Sequence, residues 1–204
     1  MLTPADAQYI TEATTDLAVP LHDALDKGRL VAHEHYDKHK MNGHGYTKGR
    51  TDLTRDHARR LLSSEDLGGW ELRKTVSGRI LLANGLMLIR VLHGAPFADT
   101  PPPGRNQARV SYYRNPTLDL FGVESSRLLA VWTNDTKTGE LSIRIVRPVG
   151  AWSLGRNAKT DIDFTLPRSA EDLTKIEFIP NDEDFVLPFE LDSDERREEG
   201  DTGA

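Results

Sequence analysis

Two apolar runs, Arg79-Ile80-Leu81-Leu82-Ala83 and Leu86-Met87-Leu88-Ile89-Arg90-Val91-Leu92, flank the dipeptide Asn84-Gly85. Asn and Gly tolerate the positive φ angles of a two-residue type I′ turn, so the spacing predicts a tight β-hairpin. That hairpin commits its neighbourhood to antiparallel sheet. A second hairpin is predicted from Arg127 to Thr133 and from Glu140 to Arg147, joined by Asn134-Asp135-Thr136-Lys137-Thr138-Gly139. In Asp161-Ile162-Asp163-Phe164-Thr165-Leu166 the residues alternate cleanly. Ile162, Phe164 and Leu166 are therefore expected on a core face, with Asp161 and Asp163 on the other. Trp70 to Val76 reads as an earlier strand, and Pro101-Pro102-Pro103-Gly104 as a stiff connection that no central strand can hold.

Before Gly68-Gly69 the spacing is helical. Thr3-Pro4-Ala5-Asp6 has the form of a helix start, with Thr3 as cap, Pro4 in the first turn and Asp6 at the positive dipole end. Ile10, Ala13 and Leu17 fall on one face. Pro20 ends that helix, and Leu21, Ala24, Leu25 and Val31 supply the apolar face of a second, which Gly28 divides. Met41 to Arg50 reads as a loop with three glycines, and a third helix is expected from about Asp52 to Leu62. A short helix from Ser169 to Thr174 and a strand from Lys175 to Ile179 complete the expected order. The fold class is thus α+β, with N-terminal helices followed by a mainly antiparallel five- to seven-stranded sheet. One domain is expected over residues 1–189, helical to about 66 and sheet from about 70, with a disordered acidic tail at 190–204.

The net charge of -6 hides a division. Residues 171–204 carry 13 acidic side chains against three basic ones, a balance of -10, which leaves +4 for residues 1–170. The positive charge is concentrated from Lys38 to Arg60, where seven basic residues face only Asp52 and Asp56. Such a run suits an anion-facing surface, and it is also what an ordinary solvated helix face looks like. The absence of Cys excludes disulfide scaffolds and thiolate chemistry. Neither a signal-peptide pattern nor an uninterrupted membrane-length apolar run occurs, so the expected address is cytoplasmic with no membrane partner.

Six of the seven histidines lie between His22 and His57. His35 and His39 are spaced to share a helical face, with Glu34, Asp37, His44 or His57 as further metal ligands. The segment is not a His-Glu-x-x-His motif, because Asp37 stands three places after Glu34 and His39 comes two places too late. No metal and no cofactor is therefore expected. Metal-independent phosphodiester cleavage fits the residue types better. His33, His35, His39, His44 and His57 are candidate acids and bases, and Lys38, Lys40, Lys48, Arg50 and Arg55 candidate phosphate contacts. In Asn42-Gly43-His44-Gly45-Tyr46-Thr47-Lys48-Gly49-Arg50 the glycines let backbone amides approach an anion, and Tyr46 can stack on a base. The loop does not match a Walker sequence.

Arg105, Arg109, Tyr112, Tyr113 and Arg114 form a second Arg/Tyr-rich segment suited to stacking and phosphate contact. Adjacent tyrosines rarely share a face, so at least one of the pair is expected to anchor the segment to the sheet. Asp161, Asp163 and Glu140 make a weak Mg²⁺-nuclease pattern, because no lysine follows Glu140-Leu141. No Gly-x-Ser-x-Gly occurs. The leading expectation is an intracellular nucleic-acid-directed protein with RNA as the favoured partner, and an RNA-cleaving toxin or effector as its enzymatic form. A non-enzymatic regulatory module follows, docking a protein partner on its sheet and using its acidic tail. A metal-dependent hydrolase ranks third.

Overall fold

A computed structural model describes residues 3–41, 46–75, 78–94, 100–103, 107–115, 125–135, 138–150 and 158–169. Helix α1 (Pro4–Thr15) begins as its sequence dictates. The Asp6 amide donates to Thr3 Oγ1 at 3.2 Å, and the Thr3 amide donates back to Asp6 Oδ2 at 2.7 Å, so two otherwise orphaned donors are satisfied. These hydrogen bonds from Thr3 hold the Asp6 carboxyl below its ordinary range. After Asp16 and Leu17 the chain enters α2 (Ala18–Lys38). Pro20 therefore lies in the first turn of α2, where its missing N–H leaves no hydrogen bond unmade.

Gly28 does not divide α2; the helix runs through it for 21 residues, about 31 Å. Its role is close approach. A β-carbon at Gly28 would stand 2.5 Å from the Thr54 carbonyl oxygen of α3 (Thr47–Leu62). Two helices joined by a short connection and packed this tightly form an antiparallel hairpin. The third helix starts five residues before the expected Asp52, so part of the presumed loop is helical, while residues 42–45 lie outside the described set.

The described sheet has six strands in sequence order: β1 (Glu71–Leu72), β2 (Leu81–Asn84), β3 (Met87–His93), β4 (Arg127–Asn134), β5 (Leu141–Val149) and β6 (Lys159–Leu166). Every adjacent pair is antiparallel except β3–β4, which is parallel. The α+β class with a mainly antiparallel sheet is what the residue pattern implied. A fourth helix, α4 (Gln107–Tyr113), was not anticipated; it lies in the crossover that the parallel pair requires. Of the expected Trp70–Val76 strand, only β1 forms among the described residues. The expected elements over 169–179 and the acidic tail lie outside the described residues apart from Ser169.

The first hairpin forms with a shifted turn. Asn84 pairs with Met87, so the two turn residues are Gly85 and Leu86 rather than Asn84 and Gly85. Gly85 has φ +57° while Leu86 has no positive φ, the pattern of a type II′ turn with glycine first. In β6 the register slips between Arg147 and Pro148, so Asp161 is an extra residue between two paired ones. Pro148 sits at this irregularity, where no ladder N–H is needed. The bulge corrects the simple alternation. Asp161 pairs with the buried Arg147 guanidinium, while Asp163 pairs with Arg144 at the half-exposed sheet surface.

Helices α1 to α3 cover one face of the sheet. Ile10, Leu21, Leu25, Ala58 and Leu62 pack with Leu82, Ile89, Leu128, Ile143, Ile145 and Leu166 in one buried cluster. Residues of alternate parity, Leu129, Val131 and Val146, meet Tyr112 and Tyr113 of α4 on the other face. Two polar bonds orient the larger layer: Trp70 Nε1 donates to the Ala13 carbonyl at 2.7 Å, and His22 Nε2 lies 2.9 Å from the Leu166 carbonyl. A carbonyl only accepts, so His22 carries its proton on Nε2. Burial holds both His22 and His93 below the ordinary histidine pKa.

Stability should therefore fall as pH drops from about 7.5 to about 5.5, because the unfolded chain binds protons that neutral buried His22 and His93 resist. Urea denaturation at the two pH values checks this, and His22→Gln should flatten the dependence. Gly28→Ala should cost about 1–3 kcal/mol by forcing α2 and α3 apart, read as a lower urea midpoint at unchanged m-value.

Candidate nucleic-acid interface

The far end of the α2–α3 hairpin is held by few buried groups. Ala32 is the last buried residue of α2, and His33, Glu34, His35, Asp37, Lys38, His39 and Lys40 are all exposed. Tyr36 provides the internal support. Its hydroxyl lies against Gly49 of α3, its ring meets the Tyr46 ring at 5.9 Å, and the Arg50 guanidinium sits 5.5 Å from its centroid. Arg50 Nη2 also donates to the Met41 carbonyl at 3.3 Å. Arg50 is thereby placed inside the tip as a brace, with its charge held between the helices.

The exposed cations at this end are Lys38 and Lys40 from the close of α2 and Lys48 from the first turn of α3. Lys40 has φ +55°, a left-handed residue that ends the helix and turns the chain. Tyr46 remains 41% exposed beside them, so one part of its ring packs on Tyr36 and another faces solvent. Exposed lysines on both helices of the hairpin, with a part-exposed aromatic ring on the residue before α3, make this a positively charged end. Such an end can meet phosphates with the lysines and a base with the ring.

The histidines separate into groups. His33 Nδ1 lies 2.8 Å from Asp37 Oδ2 across one helical turn. His35 and His39 meet one turn apart with ring centroids 4.9 Å apart and planes tilted by 55°. His57 does not join them: it is half-buried on α3, ten residues after Thr47 and so about 15 Å along the axis from the tip. His44 lies outside the described residues. Arg55 is also diverted, paired with Asp52 at 3.0 Å and Asp56 at 3.5 Å. Among the described residues, no three His, Asp or Glu side chains come together as cation ligands.

The Arg/Tyr segment has a different place. Arg105 lies outside the described residues, Arg109 is half-buried on α4, and Arg114 is exposed just beyond it. The Tyr112 hydroxyl lies 3.0 Å from the Leu88 carbonyl and 2.8 Å from that of Leu128, spanning β3 and β4. Burial pushes this hydroxyl well above the ordinary tyrosine range, so it stays a neutral donor. Tyr113 donates to the Pro101 carbonyl, and burial pushes its hydroxyl up to about 12. Both tyrosines thus tie α4 into the molecule. Asn115, which no sequence signal marked, completes the clamp: its amide donates to the carbonyls of Arg127 at 2.8 Å and Pro148 at 2.7 Å, and its oxygen accepts from the Arg127 amide.

No protein family, curated protein or solved structure matches the chain. Among the described residues no helix is long and apolar enough to cross a membrane. Tyr112→Phe should lower stability by about 1 kcal/mol through the lost carbonyl contacts. Thermal denaturation of the variant beside the wild type checks this.

Proposed function

We propose that the chain binds nucleic acid, with single-stranded RNA as the favoured partner, through the free end of the α2–α3 hairpin. The observation that carries this reading is that Lys38, Lys40, Lys48 and the Tyr46 ring are all exposed on the residues that close α2 and open α3. Phosphate contacts supply affinity and fall with salt, while ring stacking selects unpaired bases over duplex.

A second reading, cleavage of that RNA, rests on one observation, the neighbouring imidazoles of His35 and His39. One neutral imidazole would take the proton of a 2′-hydroxyl as its oxygen bonds to phosphorus. The other, protonated, would give its proton to the departing 5′-oxygen as the old P–O bond breaks, leaving a 2′,3′-cyclic phosphate. His33 and Asp37 stand one face away, where the carboxylate can orient the ring.

The test is fluorescence anisotropy of labelled single-stranded RNA and duplex DNA across a salt series, with and without chelator. RNA should bind more tightly than duplex. The Lys38→Ala/Lys40→Ala double variant should reduce the slope of log K against log salt by about 1.4, two phosphate contacts' worth for a single strand. An absence of binding at low salt would reject the proposal in favour of a protein-docking module. Cleavage that survives chelation and disappears in both His35→Ala and His39→Ala would establish the second reading, and intact RNA in the wild-type reaction would reject it.

A further inference from the structure

Arg90 takes a positive charge into the sheet, where among the described residues no ion pair meets it. It lies in β3 between Ile89 and Val91, and its residue is 9% exposed. Among the described residues its Nε has no hydrogen-bond partner, and the largest charge effects on it come from other arginines. The neighbours are the opposite of what a buried guanidinium requires. Arg79 and Arg109 both act on it as like charges, and the two tyrosines beside it have given their hydroxyls to backbone carbonyls.

The fold brings these arginines together by register. Arg90 pairs with Leu81 across β2–β3, and the Val91 amide donates to the Ile80 carbonyl at 3.1 Å, which carries the ladder one step further. Ile80 is wholly buried, so the alternation puts Arg79 on the opposite face, the face that carries Arg90. Arg109 comes from α4, one helical turn before Tyr112 and Tyr113, which pack on that same face. Arg79 and Arg109 are half-buried, so the group has a deep member and two partly open ones.

We propose that Arg90, Arg79 and Arg109 form a binding site for a phosphate-type oxyanion, either phosphate ion or a phosphate monoester, between α4 and the β2–β3 part of the sheet. A buried charge without a partner is strongly unfavourable, and burial beside two like charges already weakens the hold of Arg90 on its proton. A tetrahedral oxyanion supplies what is missing. Its oxygens match the guanidinium fork of Arg90, and its negative charge offsets the charge that burial leaves on that side chain. This site is separate from the hairpin tip and stands whether or not the tip binds RNA.

The experiment is thermal denaturation of the full chain against inorganic phosphate, methyl phosphate and chloride at constant ionic strength. The wild type should show a saturable rise of Tm by several degrees with a phosphate species and none with chloride. Equal responses to both phosphate species would identify a monoester site with an open mouth, and a response to inorganic phosphate alone a closed site for the free ion. Arg90→Met should lose the rise, and Arg79→Gln should weaken phosphate affinity several-fold. Lys38→Ala/Lys40→Ala should keep the full response, which separates this site from the RNA-binding reading. A flat or non-saturable wild-type response, an equal response to chloride, or a rise retained in Arg90→Met would overturn the proposal. If Arg90→Met does not fold, unchanged phosphate affinity in Arg79→Gln would do the same.

Discussion

The parallel seam between β3 and β4 is the junction on which the sheet depends. On one side β1 to β3 form an antiparallel unit, on the other β4 to β6 form a second, and only this ladder makes them one surface. A parallel pair cannot be closed by a tight turn, so the chain leaves the sheet after His93 and returns at Arg127. The return is fixed by polar groups rather than by apolar area alone. Tyr112 reaches a carbonyl on each side of the seam, and Asn115 satisfies the Arg127 backbone while touching the Pro148 carbonyl. Each buried donor and acceptor here is expensive to leave unmade, which gives the crossover one favoured seat.

The opposite face solves a different problem. A six-stranded sheet needs a broad apolar cover, and α1 with the lower halves of α2 and α3 provides it. Helix α2 is longer than that cover requires. Its last turns are exposed after Ala32, their final buried residue, and the helix pair is held there through Tyr36, Gly49 and Arg50. Arg29 and Asp26 tie the covered half to the β4–β5 turn and to Arg168 after β6. Among the described residues, this end of the hairpin is held by contacts between its own two helices.

What the sequence made legible is what depends on local chemistry. The Thr3 capping box, the Asn84-Gly85 hairpin region and the alternation of Ile162, Phe164 and Leu166 are each written within a few residues. What it concealed depends on partners far along the chain. Gly28 looked like a helix breaker because its reason for being glycine is Thr54. The one-residue shift at Gly85 follows from pairing Asn84 with Met87, and the Asp161 bulge from Pro148 on another strand. The same division holds for the candidate site. Spacing put Lys38, Lys40 and Lys48 near Tyr46, but it could not show that Arg50 and Arg55 are internally engaged or that His57 stands a distance down the hairpin.

Net charge conceals two physically different positive regions. The lysines of the hairpin tip are in water, where attraction for a polyanion is screened over about 8 Å at physiological salt and each contact is individually weak. Arg90 is screened far less because it is buried, and its environment was set when β2, β3 and α4 packed around it. A surface charge can be satisfied by any passing counterion, whereas a buried one must find a partner that fits. Exposed lysines therefore suit a long, flexible, sequence-varied ligand, and a converging arginine group suits a small anion of fixed geometry. The basic run was visible in the sequence because its residues are neighbours; Arg79, Arg90 and Arg109 are distant in the chain and become a group only through strand register and the return of the crossover.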